Sequence, residues 1–517
     1  MKSSFYREKW TDIKAATVDP EEITRLSRQI AHSFMDSYLK DCHYEEDYID
    51  LLCEMTTYSE DNDLTRIAAQ ALFRIIIESL CDDFEDLQTE TYNRVMAQLI
   101  TFCRKLPSGR ELDRYLNDFQ IADRDDLLQR IKTIRMDGKD LSRQKKVKKI
   151  LLLSRVTIGA DVAITSIIIQ RLADRFPDAE LVLIGGSKLD EIYGGNSRLR
   201  LQTVDYNRQG GLIERLSSWQ QVLNIIQQEL DTCPLDNTIL IDPDSRLSQL
   251  GVLPIFPEHH YFFFDSRSDI SFASNMSMAQ LTNTWINKVT GQEDFRYPRI
   301  WPHSSNLTQA TKFYNQLKKG GARRVIVINF GVGGNQRKKV GWRLEKDLLL
   351  SLLQEPDTVI VLDKGFGDEE LQNSNLLLEA VKAKGFATQD AVFGTALDSG
   401  ISSGIIGMQT RIGEIAAIIS KCDEYIGYDS ACQHIAAALE IPCLTVFAGS
   451  NNMRFIRRWS AFSPNNCQIV HVDTLTDPTS IDEEDIITRI MNERRMRKEE
   501  VQGSGFRGSG FYNNPER

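Results

Sequence analysis

Cysteine pairs with the spacing of a metal or redox motif are missing from this chain. The nine cysteines are Cys42, Cys53, Cys81, Cys103, Cys233, Cys422, Cys432, Cys443 and Cys467. The number is odd, they are scattered, and no Cys-x-x-Cys occurs. This argues against a disulfide framework or a structural zinc and points to a reducing, cytoplasmic compartment. No apolar run reaches about 18 residues, so no transmembrane helix is expected. The opening MKSSFYREKWTDIKAAT lacks the apolar core of a secretory signal. A surplus of positive charge is also lacking: the net charge is −11, and residues 1–145 hold 29 acidic against 21 basic side chains. A surface that neutralises nucleic-acid phosphates needs the opposite sign, so nucleic acid is not an expected partner.

The remaining composition is that of a soluble globular chain, 41% apolar and 26% charged. Its 517 residues exceed one ordinary domain of about 150. Residues 1–145 read as an all-helical domain of unknown role. DPEEITRLSRQ opens with Asp19 as N-cap, Pro20 at the first helical position and Glu22 completing a capping box. In LTRIAAQALFRIIIESL the apolar residues Leu64, Ile67, Ala68, Ala71, Leu72, Ile75 and Ile76 recur at helical spacing.

At RQKKVKKILLLSRVTIGAD the pattern changes. An apolar strand at 150–153, a glycine-containing loop, a helical segment DVAITSIIIQRLADRF and a second strand AELVLIGG form a β-loop-α-β unit of parallel-sheet type. Further strands are expected at 238–241 and 261–264. A second α/β block starts at RRVIVINFGVGG and runs through TVIVLDKGFG, EYIGYDS and CLTVFAGS to CQIVHVD. The domains so drawn are 147–310 and 321–475, with a linker over about 291–320, a charged terminal helix at 480–500 and a disordered Gly/Ser-rich tail at 501–517. Two doubly wound halves should hold ligands at the carboxyl ends of their strands.

The chemistry-bearing residues sit at those strand ends. In EYIGYDSACQHIAAALEIPCLTVFAGS, a strand at 424–429 followed by a helix at 431–439 aims unpaired first-turn N–H groups at the junction, a natural seat for a diphosphate. Ser430 adds a hydroxyl, Asp429 suits sugar hydroxyls rather than phosphate, and His434 lies one turn in. Locally, Asp429 or Ser430 is equally an N-cap and His434 a packing residue. In NFGVGGNQRKKVGWR, Gly331, Gly333 and Gly334 allow close backbone approach, and Arg337, Lys338 and Lys339 follow; a solvated basic turn has the same pattern. The Gly-Lys-Ser/Thr ending of a phosphate-binding P-loop is absent. Asp161 lies between a glycine loop and a helix, where it is either a loop carboxylate able to take a proton or an N-cap. Asp242-Pro243-Asp244 fits acceptor-side or turn chemistry better than a metal site, and no metal or cofactor is expected.

Two stretches carry a resemblance. LLLSRVTIGADVAITSIIIQRLADRFPDAELVLIGG and the 424–450 junction, in that order and about 270 residues apart, resemble the heptosyltransferase-like glycosyltransferases of family 9, over residues 147–475. That family has the GT-B fold, which here implies an α/β protein of two Rossmann-like domains behind the helical N-terminal domain. It also implies inverting, metal-independent transfer from a nucleotide-diphosphate sugar to a saccharide, lipid-linked or protein acceptor. The resemblance assigns Asp161 as catalytic base. It places Asp429, Ser430, Ala431, His434, Gly333, Lys338 or Lys339, and Glu369 or Glu370 around the donor, and Arg155 and Asp242 on the acceptor side. The chain departs from the family pattern at three places. Family Gly-Asp is Gly159-Ala160-Asp161, the Gly after Asp-Ser/Thr is Ala431 with Cys432 and Gln433 behind it, and Lys-Arg-Trp-Pro has become RKKVGWRLEKD. Alternatives are a degenerate nucleotide-sugar-binding or partner-docking protein using the helical domain, and an epimerase or hydrolase on the same fold. The basic run RRMRK leaves peripheral contact with the inner membrane surface open.

Overall fold

Asp19 caps the helix Pro20–Asp41 by accepting the Glu21 N–H at 3.0 Å, and proline at the first position costs no hydrogen bond there. This is one of the helices that precede the first strand. The computed structural model describes residues 2–15, 19–59, 62–81, 84–136, 139–144, 146–207, 210–267, 275–397, 400–465 and 467–504. They form two compact units. The first comprises 1–190, 196–296 and 452–458; the second comprises 191–195, 297–451 and 459 onward.

In the first unit the helices and a parallel sheet share one apolar core. Trp10, Phe34, Leu52, Leu72 and Ile100 from the helices belong to the same buried cluster as Leu151, Val182, Leu240 and Tyr261 from the strands. The sheet consists of β1 (Lys149–Leu153), β2 (Glu180–Gly185), β3 (Leu199–Thr203), β4 (Thr238–Asp242) and β5 (Tyr261–Phe263) in the order β3-β2-β1-β4-β5. Leu151 stands opposite Val182 on one side and Leu240 on the other. A strand buried on both faces needs a continuous apolar run, which is why β1 reads KILLL. The periodic stretch from Leu64 does not continue as one α-helix. Asn62–Gln70 is α-helical and Ala71–Ile77 widens into a π-helix.

The second unit is a seven-stranded parallel sheet of β6 (Arg324–Asn329), β7 (Thr358–Asp363), β8 (Thr388–Ala391), β9 (Gly404–Met408), β10 (Glu424–Tyr428), β11 (Cys443–Phe447) and β12 (Cys467–His471). Its order is β12-β11-β10-β6-β7-β9-β8. The strand order reverses at β6 and β10, which are paired with Gly427 opposite Asn329. The region expected as a linker contains a helix, Ser304–Lys319. No breaker follows Pro302 in this stretch, and Ala310, Phe313 and Leu317 form its buried face. The terminal helix runs over Glu483–Ser504. Residues 501–504 of the expected tail are therefore helical, and 505–517 lie outside the described residues.

That last helix is fastened through one buried carboxylate. Glu424 on β10 is fully buried and accepts from Arg494 Nε and Nη2 at 2.9 Å each, from Arg324 Nη2 at 2.6 Å, and from Arg497. Burial pushes its carboxyl up, but Arg494, Arg497 and Arg324 outweigh burial and hold it down at about 2. Removing one member of such a cluster strands buried charges of the other sign. Glu424→Gln should cost about 3–5 kcal/mol at pH 7 by urea unfolding. A depressed folded pKa stabilises above the unfolded value of 4.5 and is lost as pH falls towards about 2. The gap between wild type and Glu424→Gln should close over that window, and a pH-independent gap would contradict the assignment.

Candidate functional site

Strand order brings together motifs that lie about a hundred residues apart. β6 ends in the glycine loop 331–334 and β10 ends at Asp429-Ser430, and these strands are neighbours at the point where the sheet's winding reverses. Ligands of doubly wound sheets bind in the crevice at such a point. Lys338 Nζ forms an ion pair with Asp429 Oδ2. Gln433, one turn into the helix Ala431–Ala438, donates to Asp429 Oδ1 at 2.6 Å and is itself fixed by Thr445 Oγ1 on its Oε1 at 2.9 Å. Asp429 is thus held from both sides at a strand end, two residues before the helix begins.

Ser430 is the N-cap residue by backbone position but makes no side-chain capping bond. Its Oγ lies buried beside the Tyr425 hydroxyl, and neither group has a hydrogen bond of ordinary geometry. Ala431 opens the helix. His434 is buried, with its ring edge-on to Trp459 at 6.2 Å. Burial lowers its pKa to about 4 against the opposing pull of Asp429, and Lys338 adds to the lowering. The imidazole is therefore neutral at pH 7.

The loop after β6 is braced from below. Asn329 donates to Asp363 Oδ2 at 2.6 Å and accepts the Gly331 N–H at 3.0 Å. Glu370 accepts from Val332 N–H at 3.2 Å and from Phe366 N–H at 2.8 Å, tying this loop to the one after β7. Gly333 has φ +61° and is exposed, with nothing within 4 Å of where a Cβ would stand; it is needed for backbone conformation, not for close packing. Gly449 after β11 is different: a Cβ there would lie 2.3 Å from the Arg337 carbonyl, so the basic turn rests on that glycine. Lys339 faces the buried Glu345, whose carboxyl is raised by burial. Glu369 is exposed on the first turn of Asp368–Lys382.

The first unit has a matching reversal between β1 and β4. Arg155, after β1, donates through Nη1 to the carbonyls of Pro243 and Asp244 at 2.8 and 2.7 Å. Asp161 and Asp242 lie at the same edge, but neither presents an oxygen to solvent. Asp161 is 0% exposed and accepts from Ser154 Oγ, Arg155 N–H and Thr165 Oγ1 at 2.7–2.8 Å. Of the two roles expected for Asp161, neither an open base nor an N-cap is seen: the carboxylate is enclosed, and the residue is helical, with its N–H on the Thr157 carbonyl. The residue stands at the start of a π-helical turn, Asp161–Thr165, which leads into the α-helix Ser166–Arg175. The bonds clamp a turn in which Val156 has φ +74°, a costly conformation for a β-branched residue. Ser154 Oγ also accepts the Val156 N–H at 2.8 Å. Asp242 is likewise enclosed, bonded by Tyr261 Oη at 2.6 Å and Ser245 N–H at 2.7 Å. Burial raises both carboxyls to about 6, against their hydrogen bonds.

Sequence reasoning did not single out Gln433, Asn329, Asp363 or Gly449. Gln433 had a signal, standing four residues after Asp429 at helical spacing; the others are set by strand neighbours and had none. In a proton–nitrogen NMR titration the His434 ring should stay neutral down to about pH 5, given its pKa of about 4. Lys338→Met, which removes a cation that lowers this pKa, should shift the midpoint upward. An unshifted midpoint would place Lys338 away from the ring.

Comparison with known proteins follows the same segment. Residues 397–480 match the family model "Glycosyltransferase family 9 (heptosyltransferase)". No curated protein matches. Similar solved structures include a family 9 glycosyl transferase from Veillonella parvula (15% identity, TM-score 0.49, covering 68% of this chain and 98% of that one). They also include the ADP-heptose LPS heptosyltransferase II of E. coli (13%, 0.44, 68% and 99%) and E. coli heptosyltransferase WaaC with ADP (12%, 0.46, 66% and 99%). The stretch 397–480, which contains Asp429, Ser430 and His434, is similar to the family 9 glycosyltransferases.

Proposed function

We propose that the protein transfers a sugar from a nucleotide-diphosphate sugar to a hydroxyl acceptor, with inversion and without a metal. The observation that carries this reading is the ion pair of Lys338 with Asp429 at the β6/β10 reversal, Asp429 lying inside the family-matched segment. A diphosphate seated on the first turn of Ala431–Ala438 would receive backbone N–H groups and the Lys338 ammonium, and the Ser430 hydroxyl once it turns outward from its buried place beside Tyr425. Gly333 lets the loop adopt its shape, Lys339 adds positive potential, and Glu370 or Glu369 takes the ribose. Asp429 exchanges Lys338 for sugar hydroxyls when donor arrives. Neutral His434 supports the helix start as a packed ring. As the C–O bond breaks through an oxocarbenium-like state, charge accumulates on the departing diphosphate, where these groups stabilise it.

Asp161 is the proposed base, with Arg155 and Asp242 shaping the acceptor edge. A carboxyl held at about 6 is well matched to proton abstraction near neutrality. Its three hydrogen bonds mean that the Ser154–Thr157 turn has to move for an acceptor to reach it. That enclosure favours one second reading: a protein that binds nucleotide-sugar without transferring it, with Asp161 acting only as a brace.

Acceptor-dependent release of nucleoside diphosphate separates the two. Asp161→Asn should lower turnover about 10²–10⁴-fold with donor affinity unchanged. Unaltered turnover would reject the base, and donor binding with no turnover in wild type would establish the second reading. Lys338→Ala with Ser430→Ala should weaken the binding of ADP-, UDP-, GDP- or CMP-sugar by calorimetry, about tenfold or more for two lost charge-assisted contacts. Equal affinity in the double variant would remove the diphosphate from this site.

A further inference from the structure

Two cysteines of the second unit stand in register on neighbouring strands. Cys443 opens β11, Cys467 opens β12, and the two are direct partners across this parallel pair. Residues paired in this way project from the same face, and neighbouring strands lie about 4.8 Å apart. That separation falls within the span of about 4.4–6.8 Å that a disulfide bridges between Cα atoms. Both are free thiols, so the pair is seen in its reduced state.

The two thiols are not equivalent. Cys443 is 0% exposed. The Cys467 side chain, as its hydrogen-bond partner, and then burial push the Cys443 thiol well above its ordinary value; Glu424 adds to the rise and Arg497 opposes it. Cys467 is only half-buried, which leaves its sulfur within reach of solutes. It also stands at the first position of the outermost strand of the sheet, bonded to a neighbouring strand on one side only. The end of an edge strand shifts at lower cost than an interior strand, so the pair can settle into disulfide geometry. A bond formed at such an adjustable, partly exposed place is of the labile kind that reductants reopen.

We infer that Cys443 and Cys467 form a redox-active dithiol, which a hydroperoxide such as hydrogen peroxide oxidises to a reversible disulfide. Cys467, as thiolate, attacks one peroxide oxygen. The O–O bond breaks, the departing hydroxide takes up a proton as water, and Cys467 is left as a sulfenic acid. The Cys443 sulfur then attacks the Cys467 sulfur. The S–S bond forms, the S–O bond breaks, and the hydroxyl leaves with the Cys443 proton as a second water. Two thiols are oxidised and one peroxide is reduced to two waters. The bond pins β11 two residues before Thr445, on the face from which Thr445 positions Gln433 against Asp429. The dithiol does not depend on the transferase reading.

The test treats the reduced full chain with hydrogen peroxide, blocks the remaining thiols with N-ethylmaleimide under denaturing conditions and maps the peptides by mass spectrometry. Wild type should give a peptide pair joined through Cys443 and Cys467 and released by dithiothreitol, with these two of the nine cysteines lost to alkylation. In Cys443→Ala, Cys467 should stop at the sulfenic acid and be labelled by dimedone. In Cys467→Ala, the enclosed Cys443 should stay fully alkylatable. The wild-type map decides the matter by itself if either variant folds poorly. Cys467 alkylated in treated wild type as fully as before, carrying only sulfinic or sulfonic acid, or joined to a cysteine other than Cys443 would overturn the inference. An unlabelled Cys467 in Cys443→Ala, or an oxidised Cys443 in Cys467→Ala, would overturn the assignment of Cys467 as the attacking thiol.

Discussion

The ion pair between Lys338 and Asp429 is the constraint on which the site in the second unit depends. It joins a basic turn after β6 to a strand end after β10. Each partner is also held independently. Asp429 is bonded by Gln433, while the turn carrying Lys338 rests on Gly449 and follows a glycine loop anchored by Asn329 and Glu370. A lysine held in this way keeps its charge at the mouth of the helix instead of dispersing it into solvent. The pair leaves the ammonium exchangeable, because a phosphate with several acceptor oxygens can draw it from the carboxylate.

A second constraint acts in the first unit. The helices of residues 1–145 do not pack as a separate body; their apolar side chains and those of the sheet belong to one buried cluster. Polar contacts cross the same boundary, among them Arg130 Nη1 to the Gly251 carbonyl at 2.6 Å and Lys139 Nζ to the Glu258 carbonyl at 2.6 Å. A region so joined to the sheet can shape whatever binds at its strand ends. The helices are thereby part of the body that carries the strand ends of the first sheet.

The fold was largely legible because parallel strands buried on both faces must be apolar throughout, and KILLL, RVIVIN and TVIVLD read that way. The junction at 424–439 was legible for the same reason, together with the polar residues that interrupt it. What escaped reading was set by tertiary neighbours. Asp161 was read as a base or an N-cap, but it lies buried in a wide turn, and periodicity does not report a π-turn. The basic segment left Lys338 and Lys339 equivalent; the ion pair of Lys338 with Asp429 distinguishes them. The helix Ser304–Lys319 was passed over as linker because prolines precede it, although its buried face has ordinary helical spacing.

The most direct test of the central claim is a crystal structure with a nucleoside diphosphate bound. The account predicts phosphate oxygens about 3 Å from the backbone N–H groups that open Ala431–Ala438, with Lys338 moved from Asp429 onto the phosphate. A diphosphate bound elsewhere, with the Lys338–Asp429 pair intact and Ser430 still enclosed, would contradict it.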